Sequence, residues 1–99
     1  MDIEQARLLC LKAAWMMDNA TPREAAPWIS AVKVAAPKMA IKVIDEAMQL
    51  HGATGISQDV PLTQMWIYAR WLRLADGPDA VHRRQVARAE LRKYTQNRV

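Results

Sequence analysis

The longest stretch of this chain that can fold as one piece is residues 27–51, which carry no glycine and are apolar on two sides. At 3.6 residues per turn, Lys38, Lys42, Asp45 and Gln49 fall on one polar stripe. Ile29, Val32, Ala36, Ala40, Val43, Ala47 and Leu50 flank it on one side, and Ile41, Ile44 and Met48 on the other. A helix with so wide an apolar arc needs partners on more than one side. Pro37 lacks an N–H and is expected to kink it, and Gly52 to end it.

Three shorter amphipathic segments surround this one. Asp2 to Met17 places Leu8, Leu11 and Trp15 on one face, with Ile3 and Leu9 beside them. In "DNATPREAAP", Thr21-Pro22-Arg23-Glu24 has the form of a capping box, so the long helix starts either there or at Pro27. "HGATGISQDVP" (51–61) reads as a loop. A third helix is expected over about 61–75, with Leu62, Met65, Trp66, Ala69 and Leu72 on one face, and a fourth over about 78–95. With three glycines in 99 residues, the chain reads as a single all-α domain, an antiparallel helical bundle. Its apolar surface, including Ile41, Ile44, Trp66 and Trp71, exceeds what four such helices can cover, so a partner is expected.

Charge and cysteine usage narrow the function. The net charge of +4 is spread over interspersed acids and bases, which permits contact with phosphates without requiring it. Arg84, Arg88 and Arg92 form a basic stripe on the fourth helix, either a solvated face or a contact for phosphates or a partner subunit. A nucleic-acid-binding reading rests on that stripe alone, with no recognition-helix motif behind it. Cys10, the lone cysteine, excludes an internal disulfide, fits a reducing cytoplasm and is expected in the core among leucines. No leader, membrane span or metal-ligand spacing is visible, and His51 and His82 read as ordinary polar residues.

Two motifs carry a resemblance. "MQLHGATGISQDVPLTQMW" is similar to a stretch near the end of the acyl-CoA dehydrogenase family, with Gln49, His51, Gly52, Gly55, Asp59 and Pro61 in the matching places. "LADGPDAVH" resembles that family's catalytic-base segment, in a branch where aspartate replaces glutamate; Asp76 falls on the base and Gly77 on the glycine after it. Lys33 and "KVAAPKMA" look like the middle of that branch's long helix. The resemblance covers essentially the whole chain and corresponds to the later part of the family's carboxy-terminal four-helix bundle. The first helix of that bundle and the two preceding domains have no counterpart, so the chain is expected to be truncated relative to the family.

The resemblance implies α,β-dehydrogenation of an acyl-CoA thioester, with Asp76 taking the α-proton and FAD accepting a hydride. It implies that Gln49, Gly52, Gly55 and Gly77 lie against FAD, the first three against the FAD of a neighbouring subunit in a homo-oligomer. Two positions depart from the pattern: Pro78 stands where relatives carry a flavin-contacting threonine, and Ala80 where an acid is usual. By residue chemistry alone, Asp76-Gly77-Pro78-Asp79 is equally a helix stop and cap, and Gly52 an ordinary helix end. Alone, the chain is expected to be inactive; the alternative is a free-standing, self-associating helical module.

Overall fold

Thr21 resolves where the long helix begins. Its hydroxyl accepts from the Glu24 amide at 3.2 Å, and the helix runs unbroken from Pro22 to His51. In this computed structural model, which describes residues 1–95, the order is α1 (Asp2–Asn19), α2 (Pro22–His51), a 3₁₀ turn (Gly52–Ile56), α3 (Leu62–Leu72) and α4 (Asp79–Thr95). Pro27 and Pro37 both lie inside α2, which continues through them. The expected loop at 51–61 is therefore part helical, and the third helix stops at Leu72, three residues short of the expected Ala75.

All three other helices pack on α2, and among the described residues none packs on another of the three. Lys42 of α2 meets Asp2 at the start of α1 at 2.9 Å, so α1 and α2 are antiparallel. On α2's other flank, Lys33 donates to the Leu72 carbonyl at the end of α3, and Ser30 pairs with Gln85 of α4. Thus α3 and α4 lie one after the other along α2, both antiparallel to it. The extents are 61 × 24 × 21 Å and the radius of gyration 16.9 Å, against about 13 Å for a compact chain of this length. The expected all-α, antiparallel architecture is present, laid out as an open array around a single spine.

Small residues make the contacts. Among the described residues Ala6, Ala13, Ala25 and Ala69 are the buried hydrophobics, Ser30, Pro37 and Gly55 are buried as well, and no large side chain is fully buried. Alanine at a helix crossing lets backbones approach closely, yet each methyl removes little apolar area from water. The structure corrects the reading of α1: Ala6 and Ala13, with half-buried Leu9 and Met16, face α2, whereas Leu8, Leu11 and Trp15 remain 54–62% exposed. Cys10 is likewise exposed rather than in the core, because it sits off the alanine stripe that meets α2. Ile41, Ile44 and Trp66, expected to lie uncovered, are half-buried. Trp71 is 54% exposed as expected, in an uncovered stripe with Ile67 and Tyr68 of α3 and Leu74 just beyond it.

Candidate functional site

Asp76 lies in the turn between α3 and α4. After Leu72 the chain leaves the helix through tightening bonds, Arg73 N–H to Arg70 O and both Leu74 and Ala75 N–H to Trp71 O. Asp76 then takes φ 56°, the only non-glycine residue with positive φ among those described, and Gly77 takes φ 113°. Aspartate tolerates the left-handed region better than most residues, at a cost of roughly 1 kcal/mol. The carboxylate is exposed. Asp76 stands three residues before the first residue of α4. The acid at the first position of α4 is Asp79, and the Val81 and His82 amides donate to the Pro78 carbonyl.

Asp79 is bound across the turn to Arg73. Arg73 Nε and Nη2 both donate to Asp79 Oδ2, at 2.8 and 2.6 Å, with side chains only 30% and 14% exposed. The hydrogen bond from Arg73 holds the Asp79 carboxyl below its ordinary range, against the opposing effect of burial and with help from the charges of Arg73, Arg83 and Lys33. A carboxylate with a depressed folded pKa stabilises the fold above its unfolded pKa, and that contribution disappears as pH falls through the folded value. Asp79→Asn is therefore expected to cost about 1–2 kcal/mol at neutral pH. It should also flatten the decline in melting temperature below about pH 4; thermal melts from pH 7 to pH 2.5 check both.

His82 completes the turn from below. A Cβ added to Gly77 would stand 3.3 Å from His82 Nε2 and 3.6 Å from Val81 Cγ1, a tight fit beside the ring, while φ itself calls for glycine there. Both His82 ring nitrogens are buried without a hydrogen-bond partner among the described residues, unlike His51, whose Nδ1 lies 2.7 Å from the Ala47 carbonyl.

The glycine segment is elsewhere. Gly52 ends α2 at φ 63°, its N–H donating to the Gln49 carbonyl, and a Cβ there would meet only open space. Gly55 is buried, and its missing side chain serves the fold: a Cβ would stand 2.3 Å from Met48 O. Gln49 and Gly52 line an open groove of about 320 Å³ together with Asp45, Met48, Ala53 and Ile56. The Gln49–Gly55 segment and the Asp76–Gly77 turn sit at opposite ends of α3, which is about 16 Å long by helical rise. They form two separate places, not one pocket. No metal-ligating cluster occurs among the described residues.

Sequence reasoning missed the Arg73–Asp79 pair and the Lys33–Leu72 contact. Arg73 and Asp79 are six apart across a helix break, a spacing no helical periodicity marks. Lys33 was legible only as part of a resemblance.

The fold defines a class: an all-α domain of antiparallel helices that leaves large apolar side chains uncovered. The family follows from comparison. Residues 1–91 match the profile described as acyl-CoA dehydrogenase, C-terminal domain, and the chain belongs to that family. It is 50% identical over 90 residues to the probable acyl-CoA dehydrogenase FadE2 of Mycobacterium tuberculosis, covering 91% of this chain and 22% of that protein. It is 51% identical over 89 residues to acyl-CoA dehydrogenase family member 11 of Rattus norvegicus, covering 90% and 11%. A solved structure from Mycobacterium abscessus, also assigned as an acyl-CoA dehydrogenase, superposes with a TM-score of 0.91 at 56% identity, covering 94% and 23%. The chain thus spans less than a quarter of the length of these relatives.

Proposed function

We propose that this chain acts as the carboxy-terminal helical domain of an FAD-dependent acyl-CoA dehydrogenase, with Asp76 as the base. The observation that carries this reading is the exposed Asp76 carboxylate in a left-handed turn of a chain that belongs to this family. Backbone strain at a single acidic residue is the kind of local cost that functional positions retain. Asp76 takes the α-proton of the bound thioester as the α,β double bond forms. FAD, when bound, would supply the acceptor for the hydride leaving the β-carbon.

The residues present fit part of such a cofactor site. Gln49 offers a donor and an acceptor beside the open backbone of Gly52, in an open groove of about 320 Å³. Gly77 supports the site through the turn it allows beside Asp76, at φ 113°. Gly55 supports this site indirectly, by seating the 3₁₀ turn on α2. Pro78 provides neither hydroxyl nor N–H, so that one contact falls to other parts of the enzyme. Because the glycine segment and the Asp76 turn are separated by α3, they serve different sites, the former reaching the cofactor of a neighbouring subunit in a homo-oligomer.

A second groove supports the domain reading. Met16 of α1, Trp28 and Ala31 of α2, and Val86 and Ala89 of α4 line an open trough of about 580 Å³. We assign this trough, with Arg23, Glu24, Glu90, Arg92 and Lys93 also along it, as the seat for a further helix of the family's bundle. The test is complementation: the chain alone yields no acyl-CoA-dependent dye reduction, and the same chain joined to the preceding domains does. Activity of the chain alone, or none from the joined protein with flavin bound, refutes the proposal.

A free-standing self-associating module is the second reading, favoured by the outward stripe of Ile67, Tyr68, Trp71 and Leu74. Light scattering on the isolated chain is expected to give a mass above one copy in either case; a monomer at high micromolar concentration excludes the module. Arg84, Arg88 and Arg92 are exposed on α4 and are assigned to solvent, not to nucleic acid. No helix among the described residues is long and apolar enough to cross a membrane.

A further inference from the structure

We propose that Arg73 and Asp79 are positioning residues for Asp76, forming a strap across the turn that carries it. This rests on the reading of Asp76 as the base. Asp76 stands midway between the two in sequence, and Arg73 Nε and Nη2 close the turn on one oxygen of Asp79 at 2.8 and 2.6 Å. Within the closed turn the backbone passes through φ 56° and φ 113° at Asp76 and Gly77. An L-residue left to itself favours negative φ. The strap opposes that relaxation by fixing the distance between the end of α3 and the start of α4.

Two further contacts hold the same turn. Lys33 on α2 donates to the carbonyl of Leu72, the residue before Arg73, and so ties the end of α3 to the spine. His82 fills the space beneath Gly77, with Nε2 3.3 Å from where a Cβ would stand. The strap is mostly shielded from water, so its charge-assisted hydrogen bonds are weakened little by solvent. Neither Arg73 nor Asp79 is the exposed group that meets a substrate. Losing the strap should therefore displace the base without removing a contact to the ligand, which lowers turnover and spares affinity.

The test is made in the intact flavin-loaded dehydrogenase that carries this domain, with kcat per bound flavin and KM for an acyl-CoA measured for Arg73→Met, Arg73→Lys, Asp79→Asn, the double variant and Asp76→Asn. Expected are a fall in kcat of about 10- to 100-fold for Arg73→Met and Asp79→Asn with KM within about twofold, and partial retention in Arg73→Lys. The double variant should be no worse than either single one, since one strap is lost only once. Unchanged kcat in Arg73→Met and Asp79→Asn, additive losses in the double variant, or a rise in KM at constant kcat would each overturn the proposal. Should Arg73→Met fail to fold, Arg73→Lys and Asp79→Glu keep the charges and alter the geometry; lowered kcat then upholds the strap and unchanged kcat overturns it. Full activity in Asp76→Asn removes the base assignment itself, whereas an inactive Asp76→Asn beside unaffected strap variants removes only the strap.

Discussion

Asp76→Asn in the intact dehydrogenase is expected to lower turnover of acyl-CoA by about 10²- to 10⁴-fold, the usual contribution of a positioned general base. Asparagine has nearly the same shape and also tolerates the left-handed region that Asp76 occupies at φ 56°. The side chain is exposed and the ion pair of the turn belongs to Asp79, so no packing or strap is lost. What changes is that an amide cannot take up the α-proton. The melting temperature and flavin content should therefore stay put while kcat falls. Activity within about threefold of the parent would mean that the base lies elsewhere in the enzyme.

The largest effect on stability is expected at Gly55. A methyl group there would stand 2.3 Å from the Met48 carbonyl oxygen and 2.9 Å from Met48 Cα, both backbone atoms of α2. No side-chain rotation relieves such an overlap; the 3₁₀ turn must lift away from the helix. Gly55→Ala should cost about 3 kcal/mol, at the upper end for overpacking, which corresponds to a drop in melting temperature of roughly 12–24 °C for a domain of this size. Gly52→Ala is the control. Its backbone, at φ 63° and ψ −141°, disfavours alanine, but the space around it is open, so about 1–2 kcal/mol is expected, less than at Gly55. Equal losses at the two positions in thermal melts would show that conformational freedom, and not the close approach to α2, sets the requirement at Gly55.

The helices could be read from the sequence because their punctuation is local. Thr21-Pro22 opens α2 and Gly52 closes it by chemistry contained within a few residues. The packing face was less legible. On α1, Leu8, Leu11 and Trp15 make the more conspicuous stripe, yet Ala6 and Ala13 meet α2. Hydrophobic periodicity reports that a face wants cover without saying which neighbour supplies it, and this chain buries its small residues internally while leaving the large ones outward. The position of Asp76 was legible through its resemblance to a known segment. The structural context of that turn was not, because Lys33 and His82 reach it from α2 and α4 and Arg73 closes it from just past the end of α3.

That α1, α3 and α4 each rest on α2 and not on one another has a consequence for how the domain comes apart. Losing one arm leaves the seats of the other two intact, so the free energies of docking should add almost independently, as between neighbours in a solenoid. Outside its enzyme the domain is then expected to lose structure limb by limb, with amide exchange fastest in α1 and α4 and slowest in the middle of α2. A single sharp transition would have to come from the surfaces that the remainder of the enzyme lays across those limbs.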